Sequence, residues 1–297
     1  MNSGTPLISV VLPCYNAESY IQEAIESILQ QTHTNLELIV IDDGSTDGSL
    51  KIIRALAATD DRVKIIAREN RGLIASLNEG IAVAQGDYIA RMDADDISLP
   101  DRLSRQLTYL QQHQLDLVGG SILRFYPGTS RRERRKDYPE SHDELVACLL
   151  SIKSRLPHPA VLAKKSLLLQ HPYNPRYKYA EDYALWLELA LSGDCRFGNL
   201  PEIVLRYRAH ATQVTATNRR DNRAAKKQAF IDLMVPRAKN DRALVESIYN
   251  LWQSKSYLKR WRGAVSMRRW LNYLQEQDFF NPHIRKYLLQ RMWEQLF

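Results

Sequence analysis

The first 96 residues repeat one pattern: a short apolar run rich in β-branched residues, a polar loop, and a segment with helical periodicity. The apolar runs are LISVVLP, LELIVI, VKIIAR and GDYIAR. The segment after the first run places its apolar residues on one helix face, at Tyr20, Ile21, Ala24, Ile25, Ile28 and Leu29. Strands that alternate with helices of this length indicate a parallel sheet with crossover helices. The sequence therefore predicts an α/β fold.

Each of these four strands is followed by a polar segment. The segments read PCYNAE, DDGSTD, ENRG and MDADD. Because parallel strands end at one edge of a sheet, and ligands of such sheets gather at that edge, we expect the four segments to line one polar rim. The chain contains neither GxGxxG nor GxxxxGK[ST], so the usual dinucleotide fingerprint and the Walker-type phosphate loop are not supported.

The pattern changes after residue 100. DRLSRQLTYLQQH predicts an amphipathic helix, LDLVGGSILRFY one or two strands around Gly119 and Gly120, and RRERRKDYP a charged loop. YAEDYALWLELALSG predicts a helix that opens on Glu181 and Asp182, and RFGNLPEIVLRYRAHATQ a strand pair that closes the domain. We therefore predict an α/β domain over residues 1–217 and a basic helical extension over residues 218–297.

Composition limits the class of protein. A chain of 297 residues with 44% hydrophobic side chains can bury a large core. Three widely spaced cysteines form neither a disulfide framework nor a zinc ligand set, which favours a reducing compartment. The N-terminus lacks the pattern of a secretory leader, and no apolar run approaches the ~20 residues that span a bilayer. We expect a cytoplasmic protein.

The positive charge is concentrated in the C-terminal extension. Residues 218–297 carry 17 Lys and Arg against 7 Asp and Glu, a net charge of +10, whereas residues 1–217 carry 24 against 27, a net charge of −3. The extension interleaves tryptophan with arginine, at Trp252, Trp261, Trp270, Arg260, Arg262, Arg268 and Arg269. Such helices suit the surface of an anionic membrane, at its inner face, or packing onto another domain. Nucleic-acid binding is disfavoured because no reader motif accompanies the charge.

Asp93 and Asp95 stand one residue apart at the end of the fourth strand. Two carboxylates so placed can direct oxygens at one hard cation, which also accepts phosphate oxygens. The alternative is an acidic turn without a ligand. Asp96 is more often a carboxylate that supports the loop than a ligand.

Five segments extend this pattern in order: ISVVLPCYN, LIVIDDGSTD, NRGLIASLNEGI, GDYIARMDADD and AEDYALW. Together they resemble the family 2 glycosyltransferases of the GT-A fold, over roughly residues 7 to 215. The resemblance implies an inverting, metal-dependent hexosyl- or N-acetylhexosaminyl-transferase of bacterial surface-glycan type. It further implies a UDP-sugar donor, a glycan or lipid-linked glycan acceptor, and Mn²⁺ or Mg²⁺ held by Asp93 and Asp95.

The same resemblance assigns roles to individual residues. It makes Asp182 the catalytic base, Glu181 its flanking group, Asp43 the contact to the base of the nucleotide, and Arg206, Arg208 and His210 neighbours of the diphosphate. The complete set implied for substrate binding is Pro13, Tyr15, Asn16, Glu18, Asp43, Asn70, Gly72, Asp93, Ala94, Glu181, Arg206, Arg208 and His210.

Structural alternatives exist for several of these residues. Asp42 to Asp47 fit a turn and a helix cap, and Gly72 fits a turn. Glu181 and Asp182 also suit the positive end of a helix dipole, and the Arg206 to His210 segment suits an exposed basic edge strand.

Two rival functions remain open to the sequence. A catalytically inactive nucleotide- or glycan-binding protein of the same fold is disfavoured because Asp93, Asp95 and Asp182 occur together. A nucleotidyltransferase would need a glycine-rich, basic loop after the first strand, and PCYNAE is neither. The oligomeric state is open.

Overall fold

The computed structural model describes residues 4–210, 213, 218–253, 271 and 282–296. The chain divides into two compact units. The first comprises Met1–Glu140, Leu156–Pro175 and Arg196–Gln213, and the second comprises Ser141–Arg155, Arg176–Cys195 and Val214–Phe297. The predicted first domain, residues 1–217, therefore includes Ser141–Arg155 and Arg176–Cys195, which the structure groups with the C-terminal helices.

The first unit contains all the described strands. They are β1 Ile8–Cys14, β2 Leu36–Asp43, β3 Val63–Arg68, β4 Tyr88–Arg91, β5 Ile97–Ser98, β6 Leu117–Phe125, β7 Arg134–Lys136, β8 Leu162–Lys164 and β9 Phe197–Arg208. Its helices are α1 Ile21–Leu29, α2 Ser49–Ala57, α3 Leu73–Val83, α4 Arg102–Gln112 and α6 Lys165–Gln170.

Within the described residues, the strands form one sheet in the order β3-β2-β1-β4-β8-β6-β9-β5, with β7 paired to β6. β1 to β4 are mutually parallel, as the repeat predicts. β8 runs antiparallel to β4 and β6, and β9 runs parallel to β6. The predicted α/β class is confirmed, and the carboxyl ends of β1 to β4 lie at one edge of the sheet.

β2 explains why its sequence is a nearly continuous apolar run. All eight of its residues are buried, because helices cover both faces of the sheet at this point. One face packs with α1 through Leu38 and Val40. On the other face, a β-carbon added at Gly80 of α3 would lie 3.0 Å from Ile41 and 2.6 Å from Val11. Glycine therefore lets α3 approach the sheet more closely than a larger residue allows.

The C-terminal half of the sheet differs from the prediction in two respects. The expected strand pair from Arg196 is one twelve-residue strand, β9, whose register against β6 shifts at Gly120/Ser121 and again at Ser121/Ile122. The first shift leaves Pro201 and Glu202 out of the ladder, and Pro201 has no N–H to donate there. The predicted charged loop contains a strand, β7, because Arg134–Lys136 pair with β6.

The second unit is helical in its described part. Its helices are α5 His142–Leu150, α7 Glu181–Ser192, α8 Arg219–Met234, α9 Arg242–Gln253 and α10 Pro282–Leu296. α7 packs against α5 and α8, and α10 packs against α5. The buried side chains of α7 include Tyr183 and Trp186. These contacts explain why the segments around α5 and α7 belong with the C-terminal helices.

All three cysteines lie in the described part of the chain, and each is a buried thiol outside any disulfide. Burial raises the pKa of the Cys14 thiol to about 12. Cys14 therefore stays protonated at neutral pH, although it stands at the carboxyl end of β1.

Candidate active site

The loops after β1 and β2 hold each other in place. The Asn16 N–H donates to Ser45 Oγ at 3.0 Å, and Asn16 Oδ1 accepts from the Thr46 N–H at 2.8 Å. Asn16 has φ 50°, a left-handed conformation that asparagine tolerates. The preceding Tyr15 is 54% exposed, and Pro13 is half-buried. An exposed tyrosine beside a fixed loop offers a flat apolar surface to a ring.

Glu18 continues this connection toward α2. Its N–H donates to Asp47 Oδ2 at 3.0 Å, and its own carboxylate accepts from the Gly48 N–H at 3.0 Å. Asp47 also accepts from the Ser49 N–H at 3.0 Å, which satisfies a donor at the start of α2. Asp47 therefore supports the start of α2, whose N-cap residue is Gly48, whereas Asp43 has different partners.

Asp43 joins the end of β2 to the loop after β3. Its side chain is 5% exposed and forms an ion pair with Arg68. Oδ1 also accepts from the Arg71 N–H at 2.8 Å, and Oδ2 accepts from the Gly72 N–H at 2.8 Å. Asp43 therefore fixes the backbone of the loop that contains Asn70 and Gly72.

The same loop places Asn70 at the surface. Asn70 is exposed, and Gly72 has φ 87°, which favours glycine. A β-carbon added at Gly44 would lie 2.7 Å from the Asn70 N atom, so the loops after β2 and β3 touch through their backbones. The interpretation of Gly72 as a turn residue is thus compatible with its place at the rim.

Three carboxylates cluster in the loop after β4. Asp93, Asp95 and Asp96 each bring one oxygen within 4.8 Å of the others. Asp93 and Asp95 are half-buried, with Ala94 between them, and Asp96 is fully buried. Burial and the charge of Asp93 raise the pKa of Asp95, and burial with both neighbouring charges raises that of Asp96 well above its usual value. A divalent cation at this cluster would relieve the repulsion, so the residues present fit a metal site.

Asp96 and Arg208 connect the acidic loop to the end of β9. Asp96 Oδ1 accepts from the Arg208 N–H at 2.8 Å, and Arg208 Nε donates to the Asp95 carbonyl oxygen at 2.6 Å. The Arg208 guanidinium also pairs with Glu23 and lies 5.0 Å from the Tyr20 ring centroid. Arg208 is 7% exposed, so these contacts direct its side chain at the loop.

His210 contacts the acidic cluster directly. Its Nε2 lies 2.8 Å from Asp95 Oδ2, and its ring centroid lies 5.0 Å from that of Tyr20. Arg206, two residues before Arg208 on β9, pairs with Glu133 at 2.6 Å. The structure thus brings His210 and Arg208 to the aspartates, whereas Arg206 pairs with the loop before β7.

Two supporting residues did not figure in the sequence prediction. Arg91, the last residue of β4, is 6% exposed and pairs with Asp93 at 2.6 Å. Tyr20 contacts both Arg208 and His210. A charged residue at the end of a buried strand, directly before the aspartates, was the available signal for Arg91. Tyr20 fitted the helical stripe and gave no separate signal.

Glu181 and Asp182 belong to the second unit. They occupy the first turn of α7 and are half-buried. A carboxylate in the first turn is favourable to the helix dipole, which is the structural alternative for this pair. Their assigned roles stay predictions.

Most of the C-terminal Trp- and Arg-bearing segment lies outside the described residues. This applies to Trp261, Trp270, Arg260, Arg262, Arg268 and Arg269, whereas Trp252 is buried in α9. Among the helices that the structure describes, none has the length and apolar character required to cross a bilayer.

Comparison with known proteins gives a consistent result. A family model described as glycosyl transferase family 2 matches residues 9–175, which include the ends of β1 to β4 and the acidic cluster. The O-antigen biosynthesis glycosyltransferase WbnJ of Escherichia coli is 35% identical over 217 residues, which cover 71% of this chain and 83% of that protein.

Two solved structures share the fold. TarS residues 1–349 of S. aureus, in complex with UDP, has a TM-score of 0.57 at 18% identity, and the match covers 96% of this chain and 90% of that one. The mannosyltransferase PcManGT of Pyrobaculum calidifontis, in complex with GDP-Man and Mn²⁺, has a TM-score of 0.59 at 17% identity, with coverage of 99% and 86%. At these identities the likeness is one of fold.

Proposed function

Because the chain belongs to glycosyl transferase family 2, whose activity is glycosyl transfer, we propose that its donor is a UDP-sugar. The sugar is transferred to a glycan or lipid-linked glycan acceptor, with inversion at the anomeric carbon. The transferred group is a hexosyl or N-acetylhexosaminyl residue. The O-antigen relative from Escherichia coli supports a place in the biosynthesis of a surface polysaccharide.

The acidic cluster is the observation that carries this proposal. Asp93, Asp95 and Asp96 converge at the carboxyl end of β4, where the fold binds ligands. Asp96 Oδ2 is buried and accepts no hydrogen bond from the residues described. Asp93 and Asp95 would hold Mn²⁺ or Mg²⁺, with Asp96 behind them. When bound, such a cation neutralises charge that develops on the diphosphate leaving group.

The loops after β1, β2 and β3 would receive the nucleotide. Tyr15 offers its exposed ring to the base, and Asn16 and Glu18 hold the loop that carries it. Asp43 Oδ2 accepts one hydrogen bond, from the Gly72 N–H, and retains a lone pair for a base imide N–H. Uracil presents such a group, which favours UDP. Asn70 is exposed in the same loop, two residues before Gly72.

Asp182 would act as the base. Inversion by direct displacement requires a carboxylate that accepts the proton of the acceptor hydroxyl while its oxygen bonds to the anomeric carbon. The bond from that carbon to the diphosphate breaks on the opposite face. Glu181 would flank the acceptor, and His210 and Arg208 would keep the aspartate loop in position.

The protein is further proposed to work at the inner face of the cytoplasmic membrane. The net charge of +10 in residues 218–297 supports this location, because basic segments are attracted to anionic lipids.

Calorimetric titration of UDP and GDP, each with Mn²⁺ and with chelator, tests the donor site. Asp95→Ala removes a metal ligand, so we expect UDP affinity in Mn²⁺ to fall at least about tenfold. Asp87→Ala is the matched control, because Asp87 is exposed at the opposite end of β4. The UDP affinity of Asp87→Ala in Mn²⁺ should equal that of the parent protein.

Three results would contradict parts of the proposal. Equal UDP affinity with and without chelator would reject the metal site, and tighter binding of GDP would reject the uracil preference. UDP binding without hydrolysis or transfer of any UDP-sugar in a panel would favour the inactive nucleotide-binding protein.

A further inference from the structure

A second concentration of positive charge lies in the first unit, at the end of β6 and in the segment that follows. We call residues 124–137 the cationic hairpin. It carries six cations, Arg124, Arg131, Arg132, Arg134, Arg135 and Lys136, against Glu133 and Asp137, a net charge of +4. Residues 1–217 as a whole carry a net charge of −3, so this hairpin opposes the charge of its own domain.

Both carboxylates of the hairpin already have arginine partners, Asp137 within the hairpin and Glu133 on β9. Asp137 pairs with Arg135 at 2.6 Å, and Glu133 pairs with Arg206 of β9 at 2.6 Å. Arg131, Arg132 and Arg134 are exposed, and within the described ranges no ion pair joins them to a carboxylate. The surplus charge of the hairpin is therefore available to an external anion.

The pairing of β6 with β7 places like charges opposite each other. Arg124 faces Arg134 in the antiparallel register, an arrangement that destabilises a strand pair. Tyrosine rings offset part of this repulsion. The Arg124 guanidinium lies 5.5 Å from the Tyr126 centroid and 5.9 Å from that of Tyr207, and Arg131 lies 5.4 Å from Tyr126. Charged side chains on an edge strand prevent edge-to-edge association, but Arg131 and Arg132 precede β7 and so are not explained by that role.

Contacts connect the hairpin to the acidic cluster. Arg208, which donates to the Asp95 carbonyl oxygen, lies 4.7 Å from the Phe125 ring centroid. Arg206 lies 4.5 Å from the same ring and pairs with Glu133 of the hairpin. The hairpin and the aspartate loop are thus held at the same end of β9.

We propose that the cationic hairpin binds phosphate groups of the acceptor, so that the acceptor is a phosphate-bearing glycan chain. This proposal rests on the proposed transferase function and names its acceptor class. Five of the six cations are arginines, whose planar guanidinium matches phosphate oxygens in pairs. A membrane surface fits less well, because the exposed large apolar side chains that the structure describes, Tyr15, Val83, Leu169 and Leu289, all lie outside the hairpin.

Binding of inorganic tripolyphosphate, measured by calorimetry in chelator at low salt, tests the hairpin without the donor site. The triple variant Arg131→Gln/Arg132→Gln/Arg134→Gln removes three exposed charges, and we expect its affinity to fall about 10- to 100-fold. The control Arg219→Gln/Arg220→Gln/Arg223→Gln removes three exposed charges from α8 and should lower the affinity less than threefold. Replacing the same three hairpin arginines with lysine should restore part of the lost affinity.

Co-sedimentation with phosphatidylglycerol vesicles distinguishes a glycan phosphate from a lipid headgroup. The hairpin variant should bind vesicles within twofold of the parent protein. Three results would each overturn the proposal. The first is an unchanged tripolyphosphate affinity of the hairpin variant, and the second is an equal loss of that affinity in the hairpin and α8 variants. The third is a loss of vesicle binding in the hairpin variant that parallels its loss of tripolyphosphate affinity. UDP affinity in Mn²⁺ should be the same in the parent, the hairpin variants and the α8 variant. A defect in the donor site would therefore be distinguished from a defect in the hairpin.

Discussion

His158 makes the stability of the first unit depend on pH. It is 9% exposed, and its Nε2 lies 2.8 Å from Tyr173 Oη. Tyr173 is in turn bound to α3, because its N–H donates to Asn78 Oδ1 at 2.9 Å and its carbonyl oxygen accepts from Asn78 Nδ2 at 2.8 Å. Burial, and then the charge of Arg91, lowers the pKa of His158 well below 6.5. The imidazole is therefore neutral in the folded protein.

The lowered pKa of His158 sets the sign and size of the change in unfolding free energy with pH. Below pH 6.5 the unfolded chain binds a proton at His158 that the folded chain does not bind, so the free energy of unfolding falls as the pH falls. While the folded imidazole stays neutral, the loss between pH 8 and pH 5 is about 2 kcal/mol. Well above pH 6.5 the imidazole is neutral in both states, and the residue makes no pH-dependent contribution.

The perturbation is His158→Gln, which keeps a hydrogen-bonding group but does not titrate. We expect the parent protein to lose about 2 kcal/mol more than the variant between pH 8 and pH 5. His113→Gln is the matched control, because His113 is exposed. The free energy of unfolding of this variant should change with pH as that of the parent does.

Urea unfolding should be followed by far-UV circular dichroism. All five tryptophans lie in the second unit, whereas His158 lies in the first, so tryptophan fluorescence would report on the wrong part of the chain. Parallel curves of unfolding free energy against pH for the parent and His158→Gln would refute the reasoning.

Two further predictions concern catalysis and location. Asp182→Asn should preserve UDP affinity and lower the initial transfer rate by about 10²- to 10⁴-fold, with a smaller effect of Glu181→Gln, whereas a fully active Asp182→Asn protein would make Asp182 a helix-stabilising residue. The whole chain should co-sediment with anionic vesicles at low salt and dissociate at high salt, since each cation near such a surface contributes about 1 kcal/mol. Failure to co-sediment at low salt would instead indicate that residues 218–297 serve packing or oligomerisation.

The repeated N-terminal half of the fold was predictable because its signals are local. β-branched apolar runs and helical stripes of apolar residues identify β1 to β4 and their helices without reference to the rest of the chain. Parallel pairing of these strands places the polar segments that follow them at one edge of the sheet. The position of Asp93, Asp95 and Asp96 after β4 was therefore predictable, whereas the roles assigned to the rim residues stay predictions.

The later half depends on partners distant in sequence. The segment from Arg196 was predicted as a strand pair, but register shifts against β6 keep it one strand with Pro201 inside it. RRERRK has no apolar alternation, and pairing with β6 makes part of it a strand. The role of Tyr20 depends on Arg208 and His210, and local sequence does not specify where the end of β9 places them.

The way Asp43 holds the loop after β3 has an evolutionary consequence. Its carboxylate accepts from the main-chain N–H groups of Arg71 and Gly72, so these hydrogen bonds do not depend on which side chain stands at position 71. The exposed side chains of Asn70 and Arg71 can therefore diverge between paralogues, or be randomised in a library, while the loop keeps its shape. If this loop receives the nucleotide as proposed, donor preference can change through these two positions while the fold stays the same.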